Sequence, residues 1–116
     1  MYQKKLGNLG ENIAKNFLIK TGHKILAQNY YSKYGEIDLI AENQNEIEFI
    51  EVRTRTTRSI NNPEETLTYQ KTQRIIKTAL TYLEKTQTTK SWRITFIGIL
   101  LDSRQRPIEI NHIPIL

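Results

Sequence analysis

Asp38, Glu51 and Arg53 are the residues whose types and spacing best suit chemistry on a phosphate. Asp38 lies in Gly35-Glu36-Ile37-Asp38-Leu39-Ile40, and Glu51 and Arg53 lie in Ile50-Glu51-Val52-Arg53. The first run alternates around Ile37, Leu39 and Ala41, and the second, residues 46–56, is rich in β-branched and apolar residues. Between them Glu42-Asn43-Gln44-Asn45-Glu46 has the polar composition of a turn. A hairpin centred on Gln44-Asn45 pairs residues whose numbers sum to 89 and sets Asp38 opposite Glu51, with Cβ atoms roughly 4.5–5.5 Å apart. Two like charges that close destabilise a sheet. A divalent cation would compensate, since Mg²⁺ takes oxygen ligands and typically one or two protein carboxylates. Arg53, two residues after Glu51, points to the same face. The competing reading is a solvated face on which charges alternate with apolar residues, and a one-residue slip of the turn would separate the pair.

Bulk properties narrow the setting. The chain has 116 residues, enough for one domain (1–116) with a moderate core. No apolar run is long enough to span a membrane, and the start, Met1-Tyr2-Gln3-Lys4-Lys5-Leu6-Gly7, lacks a signal-peptide core. With no cysteine there are no disulfides or thiolate metal sites, and two histidines argue against zinc. These features together suggest a cytoplasmic protein. The net charge of +5 suits a polyanionic partner. Arg53, Arg55 and Arg58 follow the acidic pair directly, and Lys71, Arg74 and Lys77 follow on a predicted helix. Carboxylates at a centre with cations around it are what a metal-dependent phosphodiesterase needs.

The elements that must hold these residues follow from periodicity. Residues 4–21 read as a helix with Leu6, Leu9, Ile13 and Phe17 in one apolar stripe and Gly22 at the C-terminal cap. Beside the stripe lie Gly7, Gly10, Ala14 and Leu18, a small-residue flank able to approach a sheet closely. Glu11 borders that flank, about 40° of rotation beyond Gly7. It either reaches a site at the sheet edge or is an exposed glutamate paired with Lys15. Residues 23–31 read as the first strand, and the hairpin supplies two more. A polar loop, Thr57 to Pro63, leads to a second helix ending near Glu84. That helix starts at Asn62-Pro63-Glu64-Glu65 or at Thr68, with Ile75, Ile76, Ala79, Leu80 and Leu83 as its apolar face. Trp92 to Leu101 reads as a central strand covered on both faces. Ile108 to Ile115 reads as an edge strand, given Pro114. The order is α-β-β-β-α-β-β.

Taken together, Gly7-x-x-Gly10-Glu11, Gly35-Glu36-Ile37-Asp38-Leu39-Ile40 and Phe49-Ile50-Glu51-Val52-Arg53-Thr54-Arg55 resemble the YraN-type family of predicted endonucleases. That group is similar to archaeal Holliday junction resolvases within the PD-(D/E)xK restriction-endonuclease-like superfamily. The likeness extends to the Lys71-x-x-Arg74 helix start and the Arg93-to-Ile99 strand, and so covers nearly the whole chain. It implies an α/β fold: a three-layer α/β/α core around a mixed sheet. It implies Mg²⁺ or Mn²⁺ held by Glu11, Asp38, Glu51 and the Val52 carbonyl. It implies DNA gripped by Arg53, Arg55, Arg58, Lys71 and Arg74, and a homodimer by analogy with junction resolvases. Two departures stand out. Arg53 occupies the lysine position of (D/E)xK, and an arginine cannot act as a base, though it can bind phosphate and stabilise developing charge. Thr95 stands in Arg93-Ile94-Thr95, where the family pattern has an aspartate.

Three functions compete. The first is a metal-dependent DNA endonuclease acting on branched or damaged DNA, with Glu11, Asp38, Glu51 and Arg53 as its catalytic residues. The second is a catalytically weak nucleic-acid-binding module on a nuclease fold, motivated by Arg53 and Thr95. The third is a protein-binding adaptor, or a fold whose metal is only structural. Charge alone does not separate the first two, since both bind DNA in a salt-dependent way.

Overall fold

Two helices cover opposite faces of one sheet because each has one apolar side to bury. Helix α1 (Tyr2–Lys20) lies on one face, and α2 (Tyr69–Thr86) on the other. The sheet contains β1 (Lys24–Ser32), β2 (Gly35–Glu42), β3 (Glu46–Thr56), β4 (Ser91–Leu101) and β5 (Pro107–Pro114), in that spatial order. These coordinates are a computed structural model that describes residues 2–57 and 68–116. The three-layer α/β/α architecture and the element order are those expected from the sequence. Every neighbouring pair is antiparallel except β3–β4, which is parallel. A parallel pair needs a long crossover, and the segment that carries α2 supplies it. Among the described residues no helix is long and apolar enough to cross a membrane.

The α1 face buries Ala14, Leu18, Leu39, Ala41, Ile50, Val52, Ile97, Ile99 and Leu101. The small-residue flank of α1, rather than the Leu6/Leu9/Ile13/Phe17 stripe, makes the deepest contact. Gly10, Ala14 and Leu18 are buried, whereas the stripe is only partly so. A Cβ on Gly10 would stand 1.7 Å from Thr54 Oγ1 on β3, so only glycine admits the helix at that height. The α2 face buries Ile37, Ile40, Ile47, Phe49, Ile75, Ala79 and Ile94, with Tyr30, Tyr82 and Trp92 in edge-to-face ring contacts around them. Leu80, expected on the apolar side of α2, is 49% exposed. The fully buried Thr78 is hydrogen-bonded to Ser32 (Oγ1 to Oγ, 2.9 Å).

Helix ends are set by capping. Gly22 takes φ 90°, and the His23 and Gly22 amides donate to the Leu18 and Ile19 carbonyls, closing α1 in a Schellman motif. Thr68 caps α2, its Oγ1 accepting from the Lys71 amide at 3.1 Å. The alternative start at Asn62-Pro63, most of the loop before it and Arg58 lie outside the described residues.

Away from the proposed acidic pair, Glu48 fastens α1's end to the sheet. Its Oε2 is 2.6 Å from His23 Nε2, its Oε1 2.7 Å from His112 Nε2, and Thr95 donates to Oε1 at 3.0 Å. Thr95, singled out in Arg93-Ile94-Thr95, therefore serves this buried cluster.

Candidate functional site

The β2–β3 hairpin has the expected register, from Glu42 opposite Ile47 to Leu39 opposite Ile50. The ladder ends there, so Asp38 and Glu51 are the first residues beyond it rather than a further rung. Strand alternation also breaks at this point. Ile37 and Ile40 pack beneath α2, while Leu39 and Ala41 pack beneath α1, which leaves Asp38 at the irregularity. Opposite it on β1, between the pairs Gln28–Leu39 and Tyr30–Ile37, Asn29 adopts φ 49°. Asparagine is one of the few non-glycine residues that tolerates that conformation.

The break lets the Asp38 carboxylate reach across to β3, where Oδ2 accepts the Val52 backbone N–H at 2.8 Å. Glu51 lies beside it, near enough for the two carboxyls to share a hydrogen bond. Arg53 Nη2 is 3.0 Å from Glu51 Oε2, close enough for an ion pair, yet that buried nitrogen makes no aligned hydrogen bond. From the other side of the sheet Glu11 comes near enough to Asp38 and Glu36 to feel their charges, and the Asn29 amide contacts it. Lys15, the helix partner considered for Glu11, instead donates to Gln28 Oε1 at 3.1 Å.

The electrostatics follow from burial and like charge. Burial, then Asp38 and Glu36, raise the Glu11 carboxyl. Burial raises Asp38 against the opposing hydrogen bond from Val52. Burial and the Asp38 charge push Glu51 up to about 7, although Arg53 and Lys71 pull it down. Lys71, in the first turn of α2, thus belongs to the same group of charges. Arg55 is exposed and two residues beyond Arg53, on the same side of β3. Arg74 is exposed beside the β1–β2 turn, its Cβ 3.7 Å from where a Gly35 Cβ would stand.

So Glu11, Asp38, Glu51, Arg53 and Lys71 converge, Arg55 and Arg74 flank them, and Val52 contributes its amide to Asp38. Among the described residues no three of the histidine, aspartate and glutamate side chains already form a metal cage. The donor set that fits Mg²⁺ or Mn²⁺ is the Asp38–Glu51 pair. Such an ion asks for one or two carboxylates and completes its shell with water and phosphate oxygens. Burial raises both carboxyls, and an ion's charge would offset that cost. Asn29 and the turn residues Lys33 and Tyr34 were not legible as site residues. Their signal is geometric: a left-handed φ opposite Asp38, and a two-residue turn beside a helix.

Comparison with known proteins places the chain in a family. Residues 10–99 match the uncharacterised protein family UPF0102. A UPF0102 protein of Caldanaerobacter subterraneus is 39% identical over 113 residues, covering 96% of this chain and 93% of its own. One from Syntrophomonas wolfei is 41% identical over 112 residues, covering 95% of each. One from Clostridioides difficile is 37% identical over 114 residues, covering 97% and 96%.

Proposed function

The chain belongs to uncharacterised protein family UPF0102, and from that footing we propose that it is a divalent-metal-dependent endonuclease that hydrolyses DNA phosphodiesters, with branched or damaged DNA as its substrate class. The observation that carries this reading is the contact between two largely buried carboxyls, Asp38 and Glu51, at the end of a β-ladder and ringed by cations. A structural role does not account for it, since two carboxyls buried against one another cost the fold stability once their shared proton is lost.

Each residue then has a task. Asp38 is aimed by the Val52 amide, and Glu51 by Arg53. These two carboxylates, joined by Glu11, would hold Mg²⁺ or Mn²⁺, which would supply Lewis-acid polarisation of the scissile phosphate. Arg53 supplies a planar fork of N–H donors that matches phosphate geometry. Its buried Nη2, ion-paired with Glu51 but without an aligned hydrogen bond, is suited to a phosphoryl oxygen and to the charge that grows there. Lys71 at the α2 N-terminus, where backbone amides face outward, suits the neighbouring phosphate.

A second reading is a DNA-binding module without catalysis. It is favoured by Arg53 in the lysine position and by the absence, among the described residues, of a ready three-ligand cage. Isothermal titration of Mg²⁺ and Mn²⁺ into wild type and Asp38→Asn, beside a cleavage assay on linear, flapped and four-way-junction DNA, separates the two. Metal binding lost in the variant together with metal-dependent cutting by wild type supports the nuclease. Asp38-dependent binding without cutting supports the module.

A further inference from the structure

The β1–β2 turn carries an aromatic and basic cluster outside the acidic centre. The turn has two residues, Lys33 and Tyr34, between the paired Ser32 and Gly35. Gly35 sits at φ 149°, a region that favours glycine. Ser32 fixes the turn to α2: its Oγ contacts Thr78 Oγ1 at 2.9 Å and accepts the Tyr34 amide at 3.0 Å. Tyr34 is therefore held at the tip by a buried anchor, with 39% of its surface exposed. Lys33 Nζ stands 5.3 Å and Lys77 Nζ 5.6 Å from its ring centroid. Lys33, Arg74 and Lys77 are in no ion pair among the described residues.

Lys71, Arg74 and Lys77 recur every three residues on α2, so they form a ridge about 9 Å long. The ridge runs from the neighbourhood of Glu51 to Tyr34. Cations in a row are complementary to consecutive phosphates. An aromatic face at the end of that row adds something a duplex cannot use, because duplex bases are already stacked on one another. It can be used by an unpaired base, for which stacking on an aromatic ring is a main source of affinity.

We infer that Lys33, Tyr34 and Lys77 form a subsite for an unpaired nucleotide of the DNA strand that leaves the acidic centre along α2. Its base stacks on Tyr34, and the two ammonium groups move from the ring to the flanking phosphates. The inference rests on the nuclease reading for the direction of the strand, and it narrows the substrate to DNA with a single-stranded segment beside the cut.

The test is fluorescence-anisotropy titration in EDTA, where nothing is cut. The probes are a labelled oligothymidylate and a labelled blunt duplex of equal length. Tyr34→Ala should weaken the oligothymidylate about tenfold and leave the duplex unchanged, while Tyr34→Phe binds both like wild type. Lys77→Gln should lower the dependence of log K on log salt by about one for the single strand. Thermal melts of Tyr34→Ala separate loss of the ring from loss of the fold. Equal weakening on both probes, or none on the single strand, overturns the inference. Because binding is read without metal, a wild type that binds the single strand through Tyr34 but cuts nothing with Mg²⁺ counts against the nuclease reading alone. A wild type that cuts while Tyr34→Ala binds the single strand normally counts against this subsite alone.

Discussion

The Asp38 carboxylate is held by the Val52 backbone N–H at 2.8 Å, across the point where the β2–β3 ladder has ended. This one contact turns the carboxyl toward Glu51 and fixes it there, so the metal-free protein carries a strained acidic pair.

Relieving that strain should raise metal-free stability. In Asp38→Asn the amide oxygen still accepts from Val52, and the amide NH₂ donates to Glu51, so a hydrogen bond persists at a pH where the wild-type pair has lost its shared proton. The expected gain is about 1 kcal/mol, or roughly 4 °C in Tm. It should be larger at pH 8 than at pH 5. The folded Glu51 carboxyl is raised to about 7 from the ordinary 4.5, so the wild type loses stability as pH rises from 4.5 through 7. Thermal melts of both proteins in EDTA at the two pH values check this, and an equal or lower Tm for the variant at pH 8 would contradict it.

Glu48 should behave in the opposite way. Burial works to raise its carboxyl, but hydrogen bonds from His112 and His23, then the His112 charge and Thr95, bring it to about 2. A depressed carboxylate stabilises the fold above its ordinary 4.5, and that contribution fades as pH falls through 2. We expect a loss on the order of 2 kcal/mol across that window, read by urea unfolding at stepped pH. Glu48→Gln should cost roughly 1–3 kcal/mol at neutral pH, because one buried histidine N–H loses its acceptor, and should flatten the acid limb.

Gly10 tests the packing that places Glu11. In Gly10→Ala the new methyl meets Thr54 Oγ1 at 1.7 Å and Thr54 Cβ at 2.9 Å. The helix must lift or the strand must bend, at roughly 1–3 kcal/mol. Thr54→Ala, which removes Oγ1 and Cγ2, should recover part of the loss in the double variant. Chemical denaturation of the four proteins in the cycle gives the coupling.

Arg53 tests the departure from the lysine pattern. Arg53→Ala removes the buried Nη2 that is ion-paired with Glu51 but makes no aligned hydrogen bond. Single-turnover cleavage should slow by roughly 10²-fold, with a smaller loss of DNA affinity. A loss confined to affinity would limit Arg53 to phosphate binding.

Much of this was legible because short-range patterns were unambiguous. The turn at Gln44-Asn45 fixed the hairpin register that the pairing of Leu39 with Ile50 displays, and the bounds expected for β3 are those observed. Glu11 could be placed near the sheet because Gly10, Ala14 and Leu18 share its side of α1. What escaped depends on tertiary geometry. The break in alternation at Asp38 and the left-handed Asn29 arise where two strands separate, which no period of two predicts. Leu80 was assigned to the core on helical spacing, but the β1–β2 turn claims Thr78 instead through Ser32. The clasp of Glu48 by His23 and His112 joins residues far apart in sequence, and isolated histidines carried no sign of it.

The central claim is that Asp38 belongs to a metal site that cuts DNA. It is tested most directly by incubating a labelled four-way junction with wild type and Asp38→Asn, in Mg²⁺ and in EDTA. Wild type should cleave in Mg²⁺ alone and Asp38→Asn not at all, although the variant is folded and still binds the junction. Cleavage by Asp38→Asn at the wild-type rate, or by wild type in EDTA, would contradict it.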